Sequence, residues 1–237
     1  MNPYEKLLNR KRKWTPVQVT KGKVKEGAEK TLKRVLAIHH MELPVGAFVT
    51  EALEKGVPDK AREVLLSNVK DEENHDKALD YVVQAHGLDE KSEREALILR
   101  DAWMSHPDHT LLKSLTAERA IFFVLLPFLR FNGDVGMRTT SMDISRDEQI
   151  HVAVGSLVTA ELQLTASPSL DKLRKATINW IMQPLGNHED KYLNKKFWLD
   201  ASDRLMYEGR APELAQTKAA RVPAFFETSN ENLPQYA

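Results

Sequence analysis

The sequence contains no cysteine, carries no net charge and holds no long apolar run. Each absence removes a class of function. Without cysteine there are no disulfides, thiolate zinc sites or cysteine-ligated iron–sulfur clusters, so any metal must be held by histidine and carboxylates. Lys plus Arg and Asp plus Glu each total 34, and that balance provides no field for nucleic acid or an anionic membrane. The one basic cluster, Arg-Lys-Arg-Lys at residues 10–13, is short and is expected to be part of a solvated N-terminal arm. No stretch approaches the roughly 20 apolar residues of a membrane span. The longest run, residues 120–129, is interrupted by Pro127 and is expected to be a buried helix. Residues 1–14 lack the apolar core of a signal peptide, and a cytoplasmic location is the expectation.

What remains is an all-α pattern, since no run alternates with period two. Helices are predicted over residues 24–55 and 59–86, with Gly56-Val57-Pro58 between them and Gly87 after the second. A connection over 88–107 carries a short helix at 90–104. A third helix is predicted at 108–131, ending at Asn132-Gly133-Asp134, and a fourth at 135–166. Two more are expected at 170–182 and 188–207. The domain reading is an arm over 1–23, a helical domain over 24–208 and an extended tail over 209–237. Within that domain, residues 24–166 form the bundle and 168–208 hold extra helices. This is the topology of a four-helix bundle, two antiparallel hairpins joined by a crossover.

Two segments repeat one pattern: Asp71-Glu72-Glu73-Asn74-His75 and Asp147-Glu148-Gln149-Ile150-His151. Both read D-E-x-x-H, and residues three apart share a helix face, so each Glu and its His can meet one metal ion. A single Glu-x-x-His occurs by chance; two copies with the same preceding Asp are harder to obtain that way. Glu42 precedes Glu72 by 30 residues, and Glu118 precedes Glu148 by 30. The midpoints, residues 57 and 133, fall in the predicted turns. Going down one helix and back along its partner returns each glutamate to the height of its mate. Glu42 is flanked on its face by Val35, Ile38, Val45, Gly46 and Val49, and Glu118 by Leu111, Leu115, Ile121, Phe122 and Leu125. Ile144, Val152, Gly155 and Val158 surround Glu148 and His151. Carboxylates in such stripes are costly unless cations compensate them. Four carboxylates and two imidazoles form a hard O/N site suited to two Fe or Mn ions.

This set resembles the ferritin-like di-iron carboxylate superfamily over residues from about 30 to 165. The resemblance implies that Glu42, Glu72, His75, Glu118, Glu148 and His151 are metal ligands, with Glu72 and either Glu118 or Glu148 as bridges. It also implies that Asp71 and Asp147 accept the far N–H of a ligand histidine. Thr116-Ala117-Glu118-Arg119-Ala120-Ile121-Phe122-Phe123 and Ile144-Ser145-Arg146-Asp147-Glu148-Gln149-Ile150-His151 are similar to the metal helices of the class I ribonucleotide reductase small subunit. Phe122 matches that family's pocket phenylalanine. Its radical tyrosine, one turn beyond the first ligand histidine, is replaced here by Leu79, and Tyr81 should point elsewhere. The threonine that larger di-iron monooxygenases carry one turn past the third ligand glutamate is also replaced, by Phe122.

The expected activity is therefore O2-dependent oxidation at two iron ions (Mn being the alternative metal), with an oxygenase or oxidase acting on a small organic substrate ranked first. A radical-generating reductase subunit ranks second, with iron storage third. Leu79, Phe122, Ile144 and Gly155 are expected to line the pocket. Trp14, Trp103 and Tyr236 are candidates for electron transfer. His39 and His40 are expected to be core or pocket histidines rather than extra ligands. Arg146 is expected either to pair with a carboxylate or to lie on the surface. The expected partners are O2, the substrate, an electron donor or large subunit docking through the tail at 230–237, and a second copy in a homodimer.

Overall fold

In the computed structural model, which describes residues 2–214, regular structure is helical, apart from one isolated bridge between Gly186 and Asn194. A short helix α1 (Pro3–Leu8) begins with a capping box in which Asn2 and Glu5 satisfy each other's backbone N–H groups. After an irregular arm come α2 (Glu29–Ala37), α3 (Glu42–Lys55), α4 (Asp59–His86) and α5 (Glu90–Ser105). The second half holds α6 (Thr110–Ala117), α7 (Phe123–Asn132), α8 (Val135–Glu161), α9 (Pro168–Met182) and α10 (Lys195–Glu208). Helix α3 packs on α4 and α6, while α8 packs on α4, α6 and α7, so the two hairpins form a bundle. Among the described residues, no helix is long and apolar enough to cross a membrane.

Helix α4 and the crossover helix α5 lie where the sequence puts them; several other boundaries move. The helix expected over 24–55 starts only at Glu29, after Gly27 with φ 87°, and breaks at a 3-10 turn, Ile38–Met41. Pro44 explains the break. Its ring would strike the His40 carbonyl of a continuous helix, and it has no N–H to donate there. In the third position of a new helix that N–H is not needed. The helix expected over 135–166 stops at Glu161, because Gln163 takes φ 52° and Leu164 N–H closes back onto the Thr159 carbonyl at 2.9 Å. The last helix begins at Lys195 rather than 188, since Asp190 caps a short 3-10 turn and Asn194 caps α10. Of the extended tail expected over 209–237, the first residues instead make one further turn, Pro212–Leu214, and residues 215–237 lie outside the described residues.

The third helix is also interrupted. Residues Glu118–Phe122 form a π segment in which Phe123 N–H bonds to the Glu118 carbonyl, five residues back. Pro127 lies just beyond it, within α7. Helices α9 and α10 brace this segment. Ser202 donates to the Ala120 carbonyl at 2.7 Å and accepts from Arg174 Nη1 at 2.7 Å. Arg174 is fully buried, and its Nη2 pairs with Asp171 and Asp203, each at 2.7 Å. Removing Ser202 leaves both a buried carbonyl and a guanidinium N–H without a partner. S202A should cost about 1–3 kcal/mol of unfolding free energy, measured by denaturant titration; an unchanged midpoint would show that Ser202 does not brace the segment.

Candidate metal centre

The bundle brings the six predicted ligands together, and all are buried. Glu42 opens α3, Glu118 opens the π segment, and the two Glu-x-x-His pairs face each other from α4 and α8. One group contains Glu42, Glu72, His75 and Glu148, the other Glu72, Glu118 and His151; within each, ligand atoms lie within 4.8 Å of one another. Helix α3 can approach closely because residue 46 is glycine: a Cβ there would come 3.3 Å from the Glu72 Cβ.

Which carboxylates span the centre is decided by the geometry. Glu72 directs Oε2 to His75 Nδ1 at 3.3 Å and Oε1 to His151 Nδ1 at 3.1 Å. Glu148 does the same, with Oε1 3.4 Å from His75 Nδ1 and Oε2 3.7 Å from His151 Nδ1. Glu42 faces only His75, at 3.8 Å, and Glu118 only His151, at 3.9 Å, while Ser114 donates to Glu118 at 2.9 Å. Glu72 and Glu148 thus each reach toward both histidines, with Glu42 beside His75 at one end and Glu118 beside His151 at the other.

The aspartates serve the histidines crosswise. His75 Nε2 donates to Asp147 at 3.3 Å and His151 Nε2 to Asp71 at 3.0 Å, so each Asp orients the histidine of the opposite hairpin. That fixes both Nδ1 atoms inward. The inward atoms are also the ones with no hydrogen-bond partner: Glu42 Oε2, both oxygens of Glu72 and Glu148, and Nδ1 of both histidines. Orphaned buried groups of this kind are expensive unless cations satisfy them, and the donor set fits two divalent ions of the Fe or Mn type.

Protonation follows the same crowding. Burial, then Glu72, raises the Glu42 carboxyl well above its ordinary value; burial and the neighbouring Glu148 charge push Glu118 up to about 8, and burial also raises Glu148. For Glu72 burial acts upward too, but the close imidazoles of His151 and His75 outweigh it and hold the group low. Burial alone would lower the histidines, yet the surrounding carboxylates win: His75 is raised well above its ordinary value and His151 to about 10.

Among the other candidates, Leu79 and Phe122 line an apolar cavity with Leu125, Leu126 and Leu129, with Glu42 and His39 on its wall. His39 is the one half-buried residue of that wall and so marks its outer side. Ile144 is buried in the core and does not line this cavity, and Gly155 packs under Leu115. Trp103 is buried against Thr177 of α9, and Tyr236 lies outside the described residues. Arg146 is exposed beside Asp143 at 3.8 Å.

In the basic cluster at 10–13, Arg10 and Lys13 are exposed as expected, but the two residues between them turn inward. Lys11 pairs with Asp71; Arg12 pairs with Asp143 at 2.8 Å and lies 3.4 Å from Asp147. Trp14 donates its indole N–H to Asp147 at 2.6 Å and stacks on His75 with ring centroids 6.2 Å apart. Sequence spacing holds no signal for these contacts, because the arm reaches them without regular structure.

No family model matches the chain, and no curated protein matches it. The centre is therefore read from its own chemistry.

Glu118 and His151 hold protons near neutral pH and must release them to become ligands. Metal binding should release protons, and apparent affinity should fall as pH drops from about 8 to about 6. Calorimetry in two buffers of different ionisation enthalpy reads the release directly; identical apparent enthalpies would contradict it.

Proposed function

We propose that this chain is a ferritin-like dinuclear metal protein that activates dioxygen at two iron ions and oxidises a small apolar substrate. The observation that carries this reading is the pair of carboxylates, Glu72 and Glu148, each turning one oxygen toward each histidine. A single ion needs no such doubling. Four carboxylates can neutralise two divalent charges, whereas a structural zinc site uses four ligands around one centre. Two ferrous ions held there would supply electrons for dioxygen reduction.

The rest of the work belongs to the protein. Glu42 and Glu118 each close one end of the centre, and His75 and His151 are held inward by Asp147 and Asp71. The apolar wall of Leu79, Phe122, Leu125, Leu126 and Leu129 excludes water and favours a substrate without charge. Phe122, one turn past Glu118, leaves no hydroxyl at that point.

A radical-generating subunit is the second reading, and Trp14 favours it. Its indole is bonded to Asp147 and stacked on His75, a contiguous route for an electron between the surface arm and the centre. An oxidase that takes electrons from a donor can use the same route. Leu79 at the position of the radical tyrosine weighs for the oxidase. Iron storage draws no support from a cavity walled with aliphatic side chains.

Anaerobic Fe(II) titration should give two ions per chain, followed by O2 uptake on mixing. E118A should bind one ion and lose O2 uptake by at least about a hundredfold. A wild-type chain that binds no iron, or one ion only, would overturn the reading.

A further inference from the structure

The N-terminal arm is fixed at both ends. Helix α1 buries Tyr4 and Leu7 beside Val64, Leu65 and Val154, and Tyr4 donates to Glu161 at 2.8 Å. At the far end Gly22 N–H donates to Asp134 at 2.6 Å, and Val19 lies so close over α8 that a Cβ on Gly136 would come 2.8 Å from its own Cβ. Between these anchors Lys11, Arg12 and Trp14 turn onto the two aspartates that hold the histidines.

The two hairpins offer identical ligand types in identical order, so their own motifs give no reason for the two metal positions to differ. The arm treats them differently. Asp71 receives an ammonium, a compact unit charge, with both side chains about nine-tenths buried. Asp147 receives a neutral indole N–H; the guanidinium beside it is more exposed and is shared with Asp143. An aspartate paired with a buried cation draws less on its histidine N–H, which leaves the opposite nitrogen a poorer donor. The same ammonium adds repulsion toward a cation at that end, screened less because it is buried.

We propose that the arm makes the two metal positions unequal: Lys11, acting through Asp71, weakens the position at Glu118–His151, while Trp14, acting through Asp147, orients His75 and favours the other. Both are positioning residues. The inference rests on the two-metal reading above.

The test is anaerobic titration of the full-length metal-free chain with Mn(II), followed by EPR, and with 57Fe(II), followed by Mössbauer spectroscopy. E118A, which keeps the His75 end, and E42A, which keeps the His151 end, assign the signals. Wild type should bind in two steps with the His75 end tighter. K11M should strengthen the weaker step about tenfold and shift only its Mössbauer doublet; K11R should restore the gap. W14F should weaken the tighter step and shift only the other doublet. Two equal steps in wild type, or doublets that move together in either variant, would overturn the inference. Wild type that binds no metal would instead remove the two-metal reading beneath it. Thermal melts of each variant separate loss of fold from loss of metal.

Discussion

Four glutamates and two histidines share one dry volume, and the repulsion among them is the constraint around which the bundle is arranged. Without cations Glu42, Glu118 and Glu148 hold protons more tightly than carboxylates ordinarily do, and burial is the first reason. With cations the same atoms become ligands that are already aimed. A core of this kind folds only if protons or cations offset the charge, so its stability is coupled to whatever neutralises these carboxylates.

Keeping those groups aimed takes more than the bundle helices. Glu42 and Glu118, the end ligands, both stand where regular α-helix is interrupted, one just after a 3-10 turn and one at the start of a π segment. Pro44 accounts for the first interruption. The second leaves the Ala120 carbonyl to Ser202, which is held by the buried Arg174. The extra C-terminal helices are thus support for one ligand. Support also reaches the histidines, through Asp71 and Asp147, and through them the arm.

The crossed pairing of aspartates ties the hairpins together. Each D-E-x-x-H motif turns a glutamate toward both histidines and gives an aspartate to the histidine of the other motif. Neither hairpin supplies the whole cluster alone, so its assembly depends on α4 packing against α8. The apolar cavity beside the cluster carries only two polar groups on its wall, Glu42 and His39.

By itself the sequence determined the helical class, the position of α4 and the six residues that converge. It could do so because helix periodicity and the 30-residue return are local rules, and Pro44 resets the helix at Glu42, where that count begins. Tertiary structure alone decided which carboxylates span both positions, which aspartate serves which histidine, and where residues 10–14 lie. Those facts depend on the relative height and rotation of two hairpins and on an arm without periodicity. The break at Pro44 could have been read from its missing N–H. The meeting of Lys11 with Asp71 could not, since 60 residues separate them and only packing brings them together.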